Sequence, residues 1–126
     1  MTAAAVAMGG AGVLLQFAPV ETITWLGARA DAVTSLLGQV AGALLLGFAM
    51  LNWMTRRARM GGIYARPLVM GNLLHFVSGG LALLKAASAA TLPGLWVVTA
   101  VYGAFAVAFT LVLMTHPADT GIAATR

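Results

Sequence analysis

Residues 33–54 include no charged side chain, although Asp31 and Arg56 stand close on either side. As a helix the stretch extends about 33 Å at 1.5 Å per residue, enough to cross a hydrocarbon layer of roughly 30 Å. A helix without a polar face must be buried, in protein or in lipid. Composition decides between the two. Of 126 residues, 61% are hydrophobic and 8% are charged, whereas a soluble domain carries roughly 25% charged residues. That is too little polar surface to coat a globule in water. The chain is expected to be an all-α integral membrane protein, with residues 1–126 forming a single domain.

Three more apolar runs complete the pattern. Residues 67–85 and 95–114 approach or reach spanning length, and residues 3–18 reach only about 24 Å. That first run holds Gly9, Gly10 and Gly12, which permit close helix contact. Pro19 then removes a backbone donor, so the helix should stop or kink there. Residues 19–31 mix Glu21, Arg29 and Asp31 with Ile23, Trp25 and Leu26. They are expected to lie along the membrane interface; the alternative is one longer helix, kinked at Pro19 and continuing to Leu26. Asp31 is placed to cap the second helix and Pro67 to open the third. Leu92, Pro93 and Gly94 should break the chain before the fourth. The expectation is a four-helix transmembrane bundle.

Its threading follows from charge. Arg56, Arg57, Arg59 and Arg66, four of the seven basic residues, fall between the second and third runs. Short arginine-rich loops stay in the cytoplasm, which puts both termini there too. Arg126 joins that side, leaving Arg29 and Lys85 opposite. Trp25, Trp53 and Trp96 all fall at expected helix ends, where aromatic belts form. The opening MTAAAVAMGG lacks the basic n-region of a signal peptide, so the first run is expected to be retained. The same four arginines are expected to meet anionic lipid headgroups. No further basic stripe exists to serve a nucleic acid. A bacterial cytoplasmic membrane is the expected location.

Few polar side chains lie within the spans: Gln16, Ser35, Gln39, Asn52, Asn72, His75, Ser78, Thr99 and Thr110. None is an acid, which argues against a carboxylate proton relay and against paired-carboxylate hydrolysis. The absence of cysteine excludes disulfides, thiolate metal sites and thiol nucleophiles. There is no phosphate-binding glycine loop, HExxH or nucleophile elbow. His75 and His116 are the only histidines, and their expected depths differ by about 12 Å, against their sharing one haem. No metal and no cofactor is expected.

One constellation remains. Asn72, His75 and Ser78 have helical spacing, while Asn52 and Arg56 share a stripe of the second helix. They are expected to face one another near the cytoplasmic end, with the His75 ring turned towards Asn52. The arrangement reads either as a small polar pocket for a ligand or as interhelical packing glue. Gln16 and Gln39 are expected to bond to each other. Gly38 and Gly42 form a GxxxG pair, and Thr99, Gly103, Ala106 and Thr110 give the fourth helix a similar stripe, so helices should pack closely at Gly38, Gly42 and Gly103.

The short first helix ending in Phe17, Ala18 and Pro19, the glycine-bearing LLGQVAGALLLGFAMLNW, and RPLVMGNLLH opening the third helix together resemble the small bacterial four-helix membrane proteins of the DoxX-like type. The resemblance implies an architecture and transfers no residue role. The function expected from the residues is non-enzymatic: a homo-oligomer or an accessory subunit of a larger membrane complex. The alternative is a small transporter or channel for a neutral or anionic solute, lined by the polar residues of the second and third helices.

Overall fold

The computed structural model describes residues 1–57, 65–90 and 92–115. Among them are five helices and no strand: α1 Thr2–Phe17, α2 Pro19–Trp25, α3 Ala32–Met54, α4 Ala65–Ala89 and α5 Pro93–Thr115. Three of these, α3, α4 and α5, are long and apolar enough to cross a membrane, with mean hydropathies of 1.7, 1.5 and 2.2.

The start of the chain turns sharply. α1 ends at Phe17, and α2 departs from its direction by 113°. Pro19 is the first residue of α2, where its missing N–H costs no helical hydrogen bond. Thr22 and Thr24 return their hydroxyls to the carbonyls of Ala18 and Val20, both at 2.7 Å. Residues 19–25 thus form a short helix of their own, set off from α1 at Ala18. Gly27 follows it, and its φ of +90° lies in the left-handed region that suits glycine.

Asp31 caps α3. Its carboxylate accepts from the Thr34 N–H at 2.8 Å, and the Thr34 hydroxyl accepts from the Asp31 N–H at 2.8 Å. The Thr34 N–H, and the Thr34 hydroxyl donating to the same carboxylate oxygen at 2.9 Å, hold the Asp31 carboxyl below its ordinary value. The sign follows: the cap is complete above the normal carboxylate range and loosens as pH falls through the depressed value. α4 starts two residues before the expected 67 and runs four beyond 85, because the alanines after Lys85 favour helix. The chain does break before the last helix, between Ala89 and Pro93, and α5 begins at Pro93 itself, a favoured first-turn residue.

Helices pair by neighbour. α1 packs along α3 and α4 along α5, whereas α3 and α4 touch over a much shorter length. The first pair closes at glycines. A Cβ on Gly42 would stand 2.9 Å from the Gly12 carbonyl oxygen and 2.9 Å from the Gln16 nitrogen, so the two backbones are in contact there. One apolar core joins both pairs: Ala4 and Met8 of α1, Leu45 and Ala49 of α3, Val69 and Phe76 of α4, and Phe109 of α5. At the opposite end the Trp25–Leu26 backbone meets Gly94, and Gly27 meets Leu92.

Candidate functional site

Asn52 and Asn72 are the two fully buried polar side chains among the described residues. α3 and α4 carry them to the same level, and the two amides close on each other. Asn52 Nδ2 donates to Asn72 Oδ1 at 2.8 Å, and Asn72 Nδ2 returns a bond to Asn52 Oδ1 at 3.1 Å. The second hydrogen of each amide goes one turn back along its own helix. Asn52 reaches the Phe48 carbonyl at 2.9 Å and Asn72 the Leu68 carbonyl at 2.9 Å. Those carbonyls fix which way each amide faces, since an oxygen placed against them would repel. All four N–H donors are thus used, and both oxygens accept. The pair is the principal polar link between the α1–α3 and α4–α5 pairs.

His75 lies one turn further along α4, and its partner differs from the one expected. The ring does not turn to Asn52, which is already satisfied by Asn72. Its Nε2 instead stands 3.2 Å from the Tyr102 hydroxyl of α5. The imidazole stacks on Phe48 with centroids 5.2 Å apart and meets the edge of Phe76, also at 5.2 Å. Tyr102 closes the group by lying across Gly79, where a Cβ would meet its ring at 2.7 Å. A tyrosine in the middle of the most apolar helix needs a hydroxyl partner. That need is the signal in the sequence for this pair, and the helical spacing on α4 alone does not show it.

The other candidates stand apart from these two clusters. Ser78 is exposed, and its hydroxyl returns to the Leu74 carbonyl at 2.6 Å. Arg56 folds onto its own helix end, with Nη1 donating to the Trp53 carbonyl at 2.7 Å and the guanidinium 4.1 Å above the Trp53 ring. It therefore lines no pocket with Asn52. Arg57 and Arg66 are exposed; Arg59 and His116 lie outside the described residues. Gln39 reaches the backbone carbonyl of Gln16 at 3.5 Å instead of its side chain, and Gln16 Oε1 is buried without a partner among the described residues. Thr99 and Thr110 return their hydroxyls to the carbonyls four residues back.

The glycines separate in the same way. Gly42 is consumed by the α1 crossing. Gly38 faces side chains of α1 and α2, the nearest being Ile23 Cδ1 at 3.3 Å. A Cβ on Gly103 would meet nothing within 4 Å beyond its own helix, among the described residues. Gly103 opens instead into a shallow groove of about 250 Å³ beside Gly80 and Ala106. The expected close packing at Gly103 is thus absent among the described residues of the chain.

Among the described residues no group of three or more His, Asp or Glu side chains is gathered to hold a metal ion. Chemically, the arrangement offers a closed, buried amide pair and a partly buried His75–Tyr102 pair in an apolar frame. No family model, curated protein or solved structure matches this chain.

Proposed function

We propose that this chain is a four-span transmembrane bundle of the bacterial cytoplasmic membrane, with both termini inside, that works by packing against other membrane helices. It does so as a homo-oligomer or as an accessory subunit, and it carries out no reaction itself. The observation that carries this reading is the state of α5. It is the most apolar span, yet only 6% of its membrane-length window is buried within the chain. Gly103, Gly80 and Ala106 line the groove on this exposed side, and small residues let a second helix approach closely. The DoxX-like resemblance belongs to the same proposal, as does contact of Arg56, Arg57, Arg59 and Arg66 with anionic headgroups.

The transporter alternative gains nothing from the geometry. Asn52 and Asn72 spend their hydrogen bonds on each other and are closed to solvent, so a solute would meet no free polar group there.

The test is assembly size. Mass spectrometry of the gently solubilised wild type should show a multimer or a complex with other membrane chains. Gly103→Leu should release the monomer with helicity unchanged, because a Cβ there has open space around it. A wild type that is monomeric and free of partners sinks the proposal.

A further inference from the structure

The weak contact between the helix pairs leaves space on one side of the interior. A cavity of about 160 Å³ lies between α1 and α5, with Leu45 of α3 and Phe76 of α4 behind it. Ala7 and Ala11 form its α1 wall, and Val101 and Phe105 part of its α5 wall. A second cavity of about 120 Å³ continues along the same seam, past Ala4 to Phe109 and Val112. Phe105 belongs to both. From Val97 to Val112 the seam follows about 22 Å of α5 at 1.5 Å per residue. That exceeds the roughly 15 Å of hydrocarbon in one leaflet.

Three occupants compete for such a space. Water needs two to four polar partners, and the larger cavity is lined by apolar side chains almost throughout. A helix is about 10–12 Å across with its side chains, too wide for a seam of this volume. A single hydrocarbon chain is narrow enough, flexible enough and already present in the surrounding bilayer. Lipid tails are as apolar as these walls, so hydrophobic transfer favours neither place. Dispersion decides: an empty seam leaves its lining atoms without neighbours, and a chain lying in it restores them. The α3–α4 side, joined by the Asn52–Asn72 pair, cannot open in this way, which leaves α1 and α5 as the entrance.

We infer that the α1–α5 seam is a binding site for one acyl chain of a membrane phospholipid. This rests on the membrane reading above but not on oligomerisation. The test uses phosphatidylcholine vesicles containing a trace of phosphatidylcholine with a nitroxide on its acyl chain. A zwitterionic lipid is chosen so that binding cannot be credited to the arginines. The wild type should float with the vesicles and show a motionally restricted lipid component in its spin-resonance spectrum. Ala11→Phe, and the smaller change Ala7→Leu, should fill the seam and lower that component below its wild-type size, leaving only the lipid that lines the outer surface. Val40→Phe, on the exposed face of α3 away from the seam, should keep the component at its wild-type size. Circular dichroism identifies which seam variants are folded, and one folded variant suffices. A folded seam variant whose restricted component equals that of the wild type overturns the site, and so does a wild type that floats without showing one. A wild type that fails to float overturns the membrane reading and the site together.

Discussion

Gly42→Leu should abolish the folded protein in detergent, and Gly42→Ala should lower its stability by about 1–3 kcal/mol, the usual range for overpacking. The reason is what an added Cβ would meet. At 2.9 Å stand the Gln16 nitrogen and the Gly12 oxygen, both backbone, with Leu15 Cβ at 3.0 Å. No rotamer change clears backbone atoms, so α1 would have to leave α3. Gly38→Ala should be milder, because its nearest neighbour is the tip of Ile23 at 3.3 Å, which can turn aside. Gly10→Ala supplies the control: a Cβ there would have nothing within 4 Å beyond its own helix, and alanine is the better helix former. Detergent unfolding midpoints should therefore rank Gly42→Ala well below Gly38→Ala, with Gly10→Ala at or above wild type. Equal midpoints for the first two would show that α1 and α3 do not cross at Gly42.

The second large effect belongs to the amide pair. Asn72→Leu strips Asn52 of its donor and its acceptor inside a fully buried site. An orphaned buried polar group costs about 1–3 kcal/mol, more than the average of about 0.6 kcal/mol measured for a single interhelical bond in a bilayer protein. Asn52→Leu should behave alike. The double variant leaves no orphan, so its loss should fall short of the two single losses added together. Neighbouring residues commonly couple by about 0.5–3 kcal/mol, and a value inside that range is expected from the cycle. Strict additivity would mean that the two amides do not bond to each other in the membrane.

These sites differ in how legible they are from sequence. The spans can be read because lipid imposes a length and a composition on any helix that crosses it. Asp31 and the turn at Pro19 can be read because capping and proline act within a few residues, whereas Pro67 stands inside the first turn of α4 and does not mark its start. That Asn52 and Asn72 meet is also within reach, since two amides near the ends of adjacent helices have few other partners. The partner of His75 is not legible, because helical spacing gives a residue's direction on its own helix but not the rotation of a neighbour. α5 turns Tyr102 towards α4, and its hydroxyl takes the imidazole. Ser78 departs from expectation for a simpler reason: its hydroxyl returns to the Leu74 carbonyl and needs no second helix. Gly42 and Gly103 look alike as small residues in apolar helices. Only the path of α1 shows that the first is covered and the second open.

The threading of the chain is the claim on which the rest depends, and single-cysteine labelling tests it most directly, because the sequence has no cysteine of its own. In intact cells an impermeant thiol reagent should modify a cysteine at Ala28. It should leave cysteines at Gly61 and Thr2 unmodified until the membrane is permeabilised. Labelling at Gly61 from outside would reverse the orientation assigned from the arginines. Labelling at both Thr2 and Ala28 in intact cells would put the two ends of the α1–α2 segment on one side, leaving three spans in place of four.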